Sequence, residues 1–231
     1  SLAKLHEKYG LEIRSHFETC DALGGDMWNV WPISQDRMGF HIIDFTGHGV
    51  VASLNTFRFQ SLVAATRFDG NDQEAYTAKI NNGLHSLLPA GQFATAIGGY
   101  IDIRENVLRY TAAAGPKPFV ITPDTPEGMY LPSDGRPLGM TGDAEYEERE
   151  ISFPPGSSLF LYSDALTETP DMVNPVYDED RMQAALTGCV KAEGHPFDVI
   201  LEDFRDRAPG ALNDDLTMVM LSRPADGKGS S

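Results

Sequence analysis

Alternation of apolar and polar residues marks out most of this chain as short strands. Residues 12–17 alternate and read as one strand. Residues 26–33 form a second, with Trp28 and Trp31 flanking Val30, and 37–45 a third, with Met38, Phe40, Ile42 and Ile43 apolar and Asp44 at its end. A glycine-rich turn, Thr46-Gly47-His48-Gly49, then leads into a helical pattern over 50–66, where Ala52, Leu54, Phe57, Leu62 and Val63 recur at mixed three- and four-residue spacing. A second amphipathic helix over 74–88 is stopped by Pro89. Short β runs follow at 93–103, 107–114, 119–122, 129–131, 145–153 and 158–163, with Arg104-Glu105-Asn106 as a hairpin bend between the first two. Helices over 179–186 and 197–207 and a strand over 216–222 complete the pattern.

Helices are thus segregated from strands, which is an α+β layout and not a doubly wound βαβ sheet. The expected architecture is a four-layer αββα sandwich: two mainly antiparallel sheets face to face, each with a helix pair outside. Residues 1–10 read as a short helix or the end of a linker, 11–223 as one domain, and 224–231 as a polar, Gly/Ser-rich mobile tail.

The length of 231 residues suits one large domain with a substantial core. A formal net charge of -16 argues against nucleic acid and anionic lipid surfaces as partners. No apolar run approaches the ~20 residues a bilayer needs, and the N-terminus lacks a signal-peptide core. Two distant cysteines, Cys20 and Cys189, fit a reducing, cytoplasmic setting and read as small buried thiols. Any metal here is therefore expected on oxygen ligands.

Several β runs carry an aspartate at an end. Asp26 opens one after Gly24-Gly25, Asp44 and Asp164 close two, and Asp214-Asp215 precede the last. A single strand-end Asp is usually a turn former or a helix cap. Several converging on one rim repel each other unless a cation lies between them, and Mg²⁺ and Mn²⁺ prefer such oxygen donors.

The ordered set Gly24-Gly25-Asp26, Asp44-Phe45-Thr46-Gly47-His48-Gly49, Ala113-Ala114-Gly115-Pro116-Lys117-Pro118, Pro137-Leu138-Gly139-Met140, Leu161-Tyr162-Ser163-Asp164 and Asp214-Asp215-Leu216-Thr217 resembles the PPM-type metal-dependent serine/threonine protein phosphatases. Its nearest branch is the bacterial SpoIIE-like one of sporulation and stress-response signalling. The resemblance implies an αββα fold and a centre of two Mn²⁺ or Mg²⁺ ions. It places Asp44 between the metals, the Phe45 carbonyl as a further ligand, Asp164 and Asp214 on one metal, and Asp26 at the edge, directly or through water. Asp215, beside Asp214, is the less favoured ligand. A metal-activated water would attack phosphoserine or phosphothreonine, with His48 protonating the leaving oxygen.

The implied partner is a phosphorylated regulator of the STAS (anti-anti-sigma) type. An upstream receiver or sensor domain, as in two-component signalling, and a homodimer through the N-terminal helix are further expectations. The sequence departs from the family pattern at Asn29, where an acid is usual, and at Ala165, where glycine is usual. The competing reading is a catalytically silent adaptor on the same fold, and a weaker one is a different metallohydrolase. Retention of four mutually repelling aspartates argues against the adaptor.

Overall fold

The structure is a computed structural model that describes residues 2–47, 49–169, 177, 179–191, 197–210 and 212–225. In chain order the elements are α1 (Leu2–Tyr9), β1 (Glu12–Glu18), β2 (Asp26–Pro32), β3 (Arg37–Phe45), α2 (Gly49–Thr66), α3 (Gln73–Leu87), β4 (Ala94–Asp102), β5 (Val107–Ala113), β6 (Phe119–Thr122) and β7 (Thr125–Tyr130). They continue with β8 (Arg149–Ser152), β9 (Ser158–Tyr162), α4 (Ala165–Glu168), α5 (Glu179–Lys191), α6 (Asp198–Arg207) and β10 (Leu216–Ser222). Two antiparallel five-stranded sheets with helices make this an α+β fold. No helix among the described residues is long and apolar enough to cross a membrane.

The chain divides into two compact units. One comprises Asp21–Gly115 and Pro132–Phe153 and is called the Asp44 unit. Its sheet runs β2-β3-β4-β5-β8. β3 is buried along nearly its whole length, as its apolar run requires. The β4–β5 hairpin closes at the expected bend, where Asp102 Oδ1 accepts the Arg104 and Glu105 N–H groups and Asn106 takes a φ of 57°. Gly99 is needed inside β4, because a Cβ there would collide with the Arg109 carbonyl of β5. α3 starts at an Asp72 cap, whose side chain accepts the Ala75 N–H at 2.8 Å. The core gathers Ile43, Phe45, Ala52, Phe59, Ile80, Leu84 and Leu138.

α2 departs from the expected face. Leu54 and Phe57 are exposed, at 52% and 64%, whereas Phe59 is buried at 4%. This helix is apolar around much of its circumference, so spacing alone does not select a side. The selection comes from aromatic partners: Phe59 meets the His41 ring at 5.0 Å and the Phe45 ring at 6.3 Å, both edge-on. Trp28 and Trp31 are both half-buried. Trp31 lies over Gly39, its register partner, where a Cβ would come within 2.5 Å of the indole.

The second unit comprises Ser1–Cys20, Pro116–Leu131 and Pro154–Ser231 and is called the Asp164 unit. Its sheet runs β1-β10-β9-β6-β7, with β9 buried throughout. Phe119, Phe160, Tyr162, Leu166, Met182, Phe197, Phe204 and Met218 are among its core residues. Three details differ from expectation. β7 begins at Thr125 and not 129, since Pro126 is tolerated on an edge strand and Gly128, at φ 76°, lets the Phe119 ring lie against it. In the Asp44 unit, β8 covers only Arg149–Ser152, because Tyr146 leaves the ladder for the helix-side core. Back in the Asp164 unit, the short α4 was not foreseen. It buries Leu166 completely just after β9.

Candidate functional site

In the Asp44 unit, Asp26 and Asp44 are direct partners in the β2–β3 register. Opposed residues in an antiparallel pair have Cα atoms about 4.5–5.5 Å apart, so the sheet itself sets two carboxylates side by side. Asp26 is buried at 6% exposure and Asp44 is half-buried. Strand alternation puts Asp44 on the face opposite to Ile43 and Phe45, which enter the helix-side core.

The backbone around them is tightly drawn. Phe45 N–H donates to the Gly25 carbonyl at 3.3 Å, and Thr46 N–H to the Phe93 carbonyl at 3.0 Å. Ser53 Oγ on α2 lies within hydrogen-bond distance of both the Gly24 and Gly49 carbonyls, at 2.8 and 2.9 Å, and its single O–H is shared between them. A Cβ on Gly25 would stand 2.9 Å from the Ala52 Cβ and 3.1 Å from the Phe45 carbonyl oxygen. Glycine is thus required where the 24–26 entry meets the turn after β3. Gly47 and Gly49 hold φ of 88° and 71°, the left-handed conformation glycine favours. His48, between them, lies outside the described residues.

In the Asp164 unit, Asp164 stands two residues past β9, at the N-cap of α4, yet its side chain makes no capping hydrogen bond. Burial raises its pKa to about 6, and the neighbouring Glu168 and Asp214 carboxylates push in the same direction. The structure thus brings Asp164 and Asp214 into electrostatic contact. Glu168 is an acid the sequence reading passed over. Its signal was the i, i+4 spacing to Asp164 on a helix too short to recognise.

The adjacent pair Asp214-Asp215 divides its labour. Asp215 is 1% exposed, and its Oδ1 accepts the Cys20 N–H at 2.9 Å, tying the end of β1 to β10. The Ser163 hydroxyl donates to the Asp215 carbonyl at 2.9 Å, and Ser163 Oγ in turn accepts the Thr217 N–H at 2.9 Å. Asp214 is less buried, and its Oδ1 accepts the Asp215 N–H at 2.8 Å. Ligand atoms of Cys20, Asp214 and Asp215 lie within 4.8 Å of one another.

Cys20 is half-buried among carboxylates, not packed as an apolar thiol. Burial, then Asp215, then Asp214 push its thiol to about 11. It stays protonated at neutral pH and leaves the oxygens as donors. The side chain of Cys189 is not among those described. Arg58, on α2, donates from Nη1 to Asn55 Oδ1 at 2.8 Å.

The chain is 27% identical over 162 residues to the phosphoserine phosphatase RsbP of Bacillus subtilis, covering 68% of this chain and 40% of that protein. It spans only 40% and 38% of the length of two curated relatives it matches. Among solved structures, the PP2C phosphatase domain of SpoIIE from Bacillus subtilis superposes with a TM-score of 0.78 at 18% identity, over 94% of this chain and 63% of that one. The SiaA-PP2C domain of Pseudomonas aeruginosa gives 0.77 at 18% identity, over 95% and 89%. These structures share the fold. These folds are those of PP2C phosphatase domains, and the family described as Stage II sporulation protein E (SpoIIE) matches residues 34–224, so the chain belongs to the SpoIIE family.

Proposed function

We propose that this chain is a metal-dependent serine/threonine protein phosphatase acting on a regulatory protein of the STAS type. The observation that carries the reading is the Asp26–Asp44 rung, two carboxylates set opposite each other by strand register in a phosphatase family. Their mutual repulsion makes a cation the natural third party. The donors fit Mn²⁺ or Mg²⁺, being hard oxygens, and the Cys20 thiol beside Asp214 and Asp215 is held protonated.

In this assignment Asp44, the Phe45 carbonyl and Asp26, directly or through water, would hold metal from the Asp44 unit, and Asp164 and Asp214 would hold metal from the Asp164 unit. Such ions, when bound, supply an activated water near neutral pH and neutralise charge on the phosphoryl oxygens. Asp44, fixed by its ladder, orients that site. Asp164, whose pKa burial and the Glu168 and Asp214 carboxylates raise to about 6, is mostly ionised at neutral pH and would be available as an oxygen donor. His48 protonates the departing serine or threonine oxygen. The same reading places the chain in cytoplasmic stress or sporulation signalling, below a receiver or sensor domain, with α1 as a dimer contact.

The test is phosphate release from a phosphorylated STAS-type protein with Mn²⁺, comparing the wild-type chain with Asp44→Asn. Release that depends on metal and on Asp44 is expected. No release from this protein or from any phosphopeptide, at millimolar Mn²⁺, overturns the reading. Calorimetry with Mn²⁺ separates it from an adaptor, which would bind none.

A further inference from the structure

The Asp44 unit contains a cavity of about 40 Å³ between α2, α3 and the sheet, lined by Trp31, His41, Phe59, Gln73, Thr77 and Thr111 among others. Its walls are mostly apolar and carry no aspartate, glutamate, lysine or arginine. Two polar groups on the wall lack good partners. His41 is 8% exposed, and its Nε2 is buried with no hydrogen-bond partner among the described residues. The Gln73 amide nitrogen spreads over three long contacts, to the Gly98 carbonyl at 3.3 Å and to Thr77 and Thr111 Oγ1 at 3.4 Å each. Good hydrogen bonds from nitrogen to oxygen cluster near 2.9–3.0 Å, and a buried polar atom without one is costly.

The size of the space narrows what supplies the missing bonds. A water needs about 10–15 Å³ of such volume, so the cavity holds roughly three, or one molecule of similar bulk. A charged ligand would find no counter-charge on these walls. An O–H group both donates and accepts, so it satisfies the imidazole nitrogen in either tautomer.

We propose that this cavity is an internal binding site for small neutral hydroxyl compounds, water or a short alcohol, held by His41 Nε2 and the Gln73 amide. Its position gives it a route to the chemistry. The His41 ring contacts Trp31 at 5.1 Å and Phe59 at 5.0 Å, and Phe59 also contacts Phe45, the residue after Asp44. An occupant that exchanges beside His41 bears on Phe59 and hence on the β3–α2 segment. This coupling rests on the metal role proposed for Phe45, whereas the binding itself does not.

High-resolution crystals of the whole chain, grown in water and then soaked in 2-propanol, test the site directly. An ordered oxygen at about 2.7–3.2 Å from His41 Nε2 is expected in water, and the alcohol oxygen in its place after soaking. His41→Phe is expected to lose both. A dry cavity in wild-type crystals, or unchanged occupancy in His41→Phe, overturns the proposal. In solution, the His41 Nε2 resonance of ¹⁵N-histidine-labelled wild-type chain is expected to shift saturably on 2-propanol titration. A shift that grows linearly without saturation, as from bulk solvent, overturns the alcohol arm whether or not the variant folds. Mn²⁺-dependent phosphate release is expected to change over the same titration. Saturable binding with no release under any condition would fail the phosphatase reading and leave the site standing.

Discussion

The two carboxylate sets are held by different kinds of structure. Asp26 and Asp44 face each other across one rung of a ladder whose strands are joined by the 33–36 turn, where Ile33 and Ser34 N–H groups donate to the Arg37 carbonyl. Their geometry is short-range and is fixed once the hairpin register is fixed. Asp164 and Asp214 meet only because β9 pairs with β10 and Ser163 bridges to Asp215 and Thr217. Their geometry is long-range, and the raised pKa of Asp164 records burial first and the neighbouring Glu168 and Asp214 carboxylates second.

The largest expected effect breaks or confirms that division. Asp44→Asn is expected to lower Mn²⁺-dependent phosphate release by about 10³-fold, near 4 kcal/mol of barrier. Asp164→Asn is expected to lose nearer 10²-fold, with most of the loss restored by higher Mn²⁺. Equal and unrestorable losses in a steady-state assay would erase the contrast. Next, Phe59→Ala removes the aromatic that α2 sets against His41 and Phe45, and is expected to cost about 3 kcal/mol in urea unfolding.

Acid sensitivity is expected to come partly from the Asp44 unit. Burial lowers the His41 pKa to about 4 from 6.5, so the folded chain keeps this imidazole neutral where the unfolded chain protonates it. The stability it permits is intact above pH 6.5 and falls as pH drops toward 4, by roughly 2–3 kcal/mol. Relative to wild type, His41→Phe is expected to flatten that window in denaturation curves taken from pH 4 to 7.

Asp164 has the opposite sense. Its raised pKa means that the folded chain binds the proton more tightly, so this carboxyl favours folding below its ordinary value of 3.8 and loses that contribution as pH rises through about 6. Metal-free Asp164→Asn is therefore expected to melt higher than wild type at pH 7.5 and level with it near pH 4. Adding Mn²⁺ is expected to stabilise the wild type more than the variant. The smallest effect is Leu54→Ala, expected to stay within about 0.5 kcal/mol because that side chain is 52% exposed.

Much of the architecture was legible because strand alternation is a local signal. The β2, β3, β4, β5, β9 and β10 runs fall within a residue or two of their expected bounds, and the Arg104-Glu105-Asn106 bend is the hairpin turn it reads as. Legibility failed where one local pattern allowed several packings. α2 could turn any of several apolar faces inward, and Phe59 was chosen by rings on β3. β7 carries a proline and a glycine that hide a strand until an edge position and the Phe119 ring explain them. Cys20 read as a small hydrophobe, because nothing near it in sequence announces Asp215, its hydrogen-bond acceptor 195 residues away.

By itself, then, the sequence determined which segments become strands and helices, and which aspartates stand at strand ends beside glycine, serine or a second acid. Those features depend on neighbours a few residues apart, and periodicity records them. Only the tertiary structure decided that Asp215 is consumed in tying β1 to β10 while Asp214 stays more accessible. It alone decided that Asp164 sits beside Glu168 and Asp214 with its charge disfavoured, and that His41 is buried with a ring nitrogen that has no partner among the described residues. Burial and electrostatic coupling are sums over residues distant in sequence, so they take their values only when the sheets are assembled.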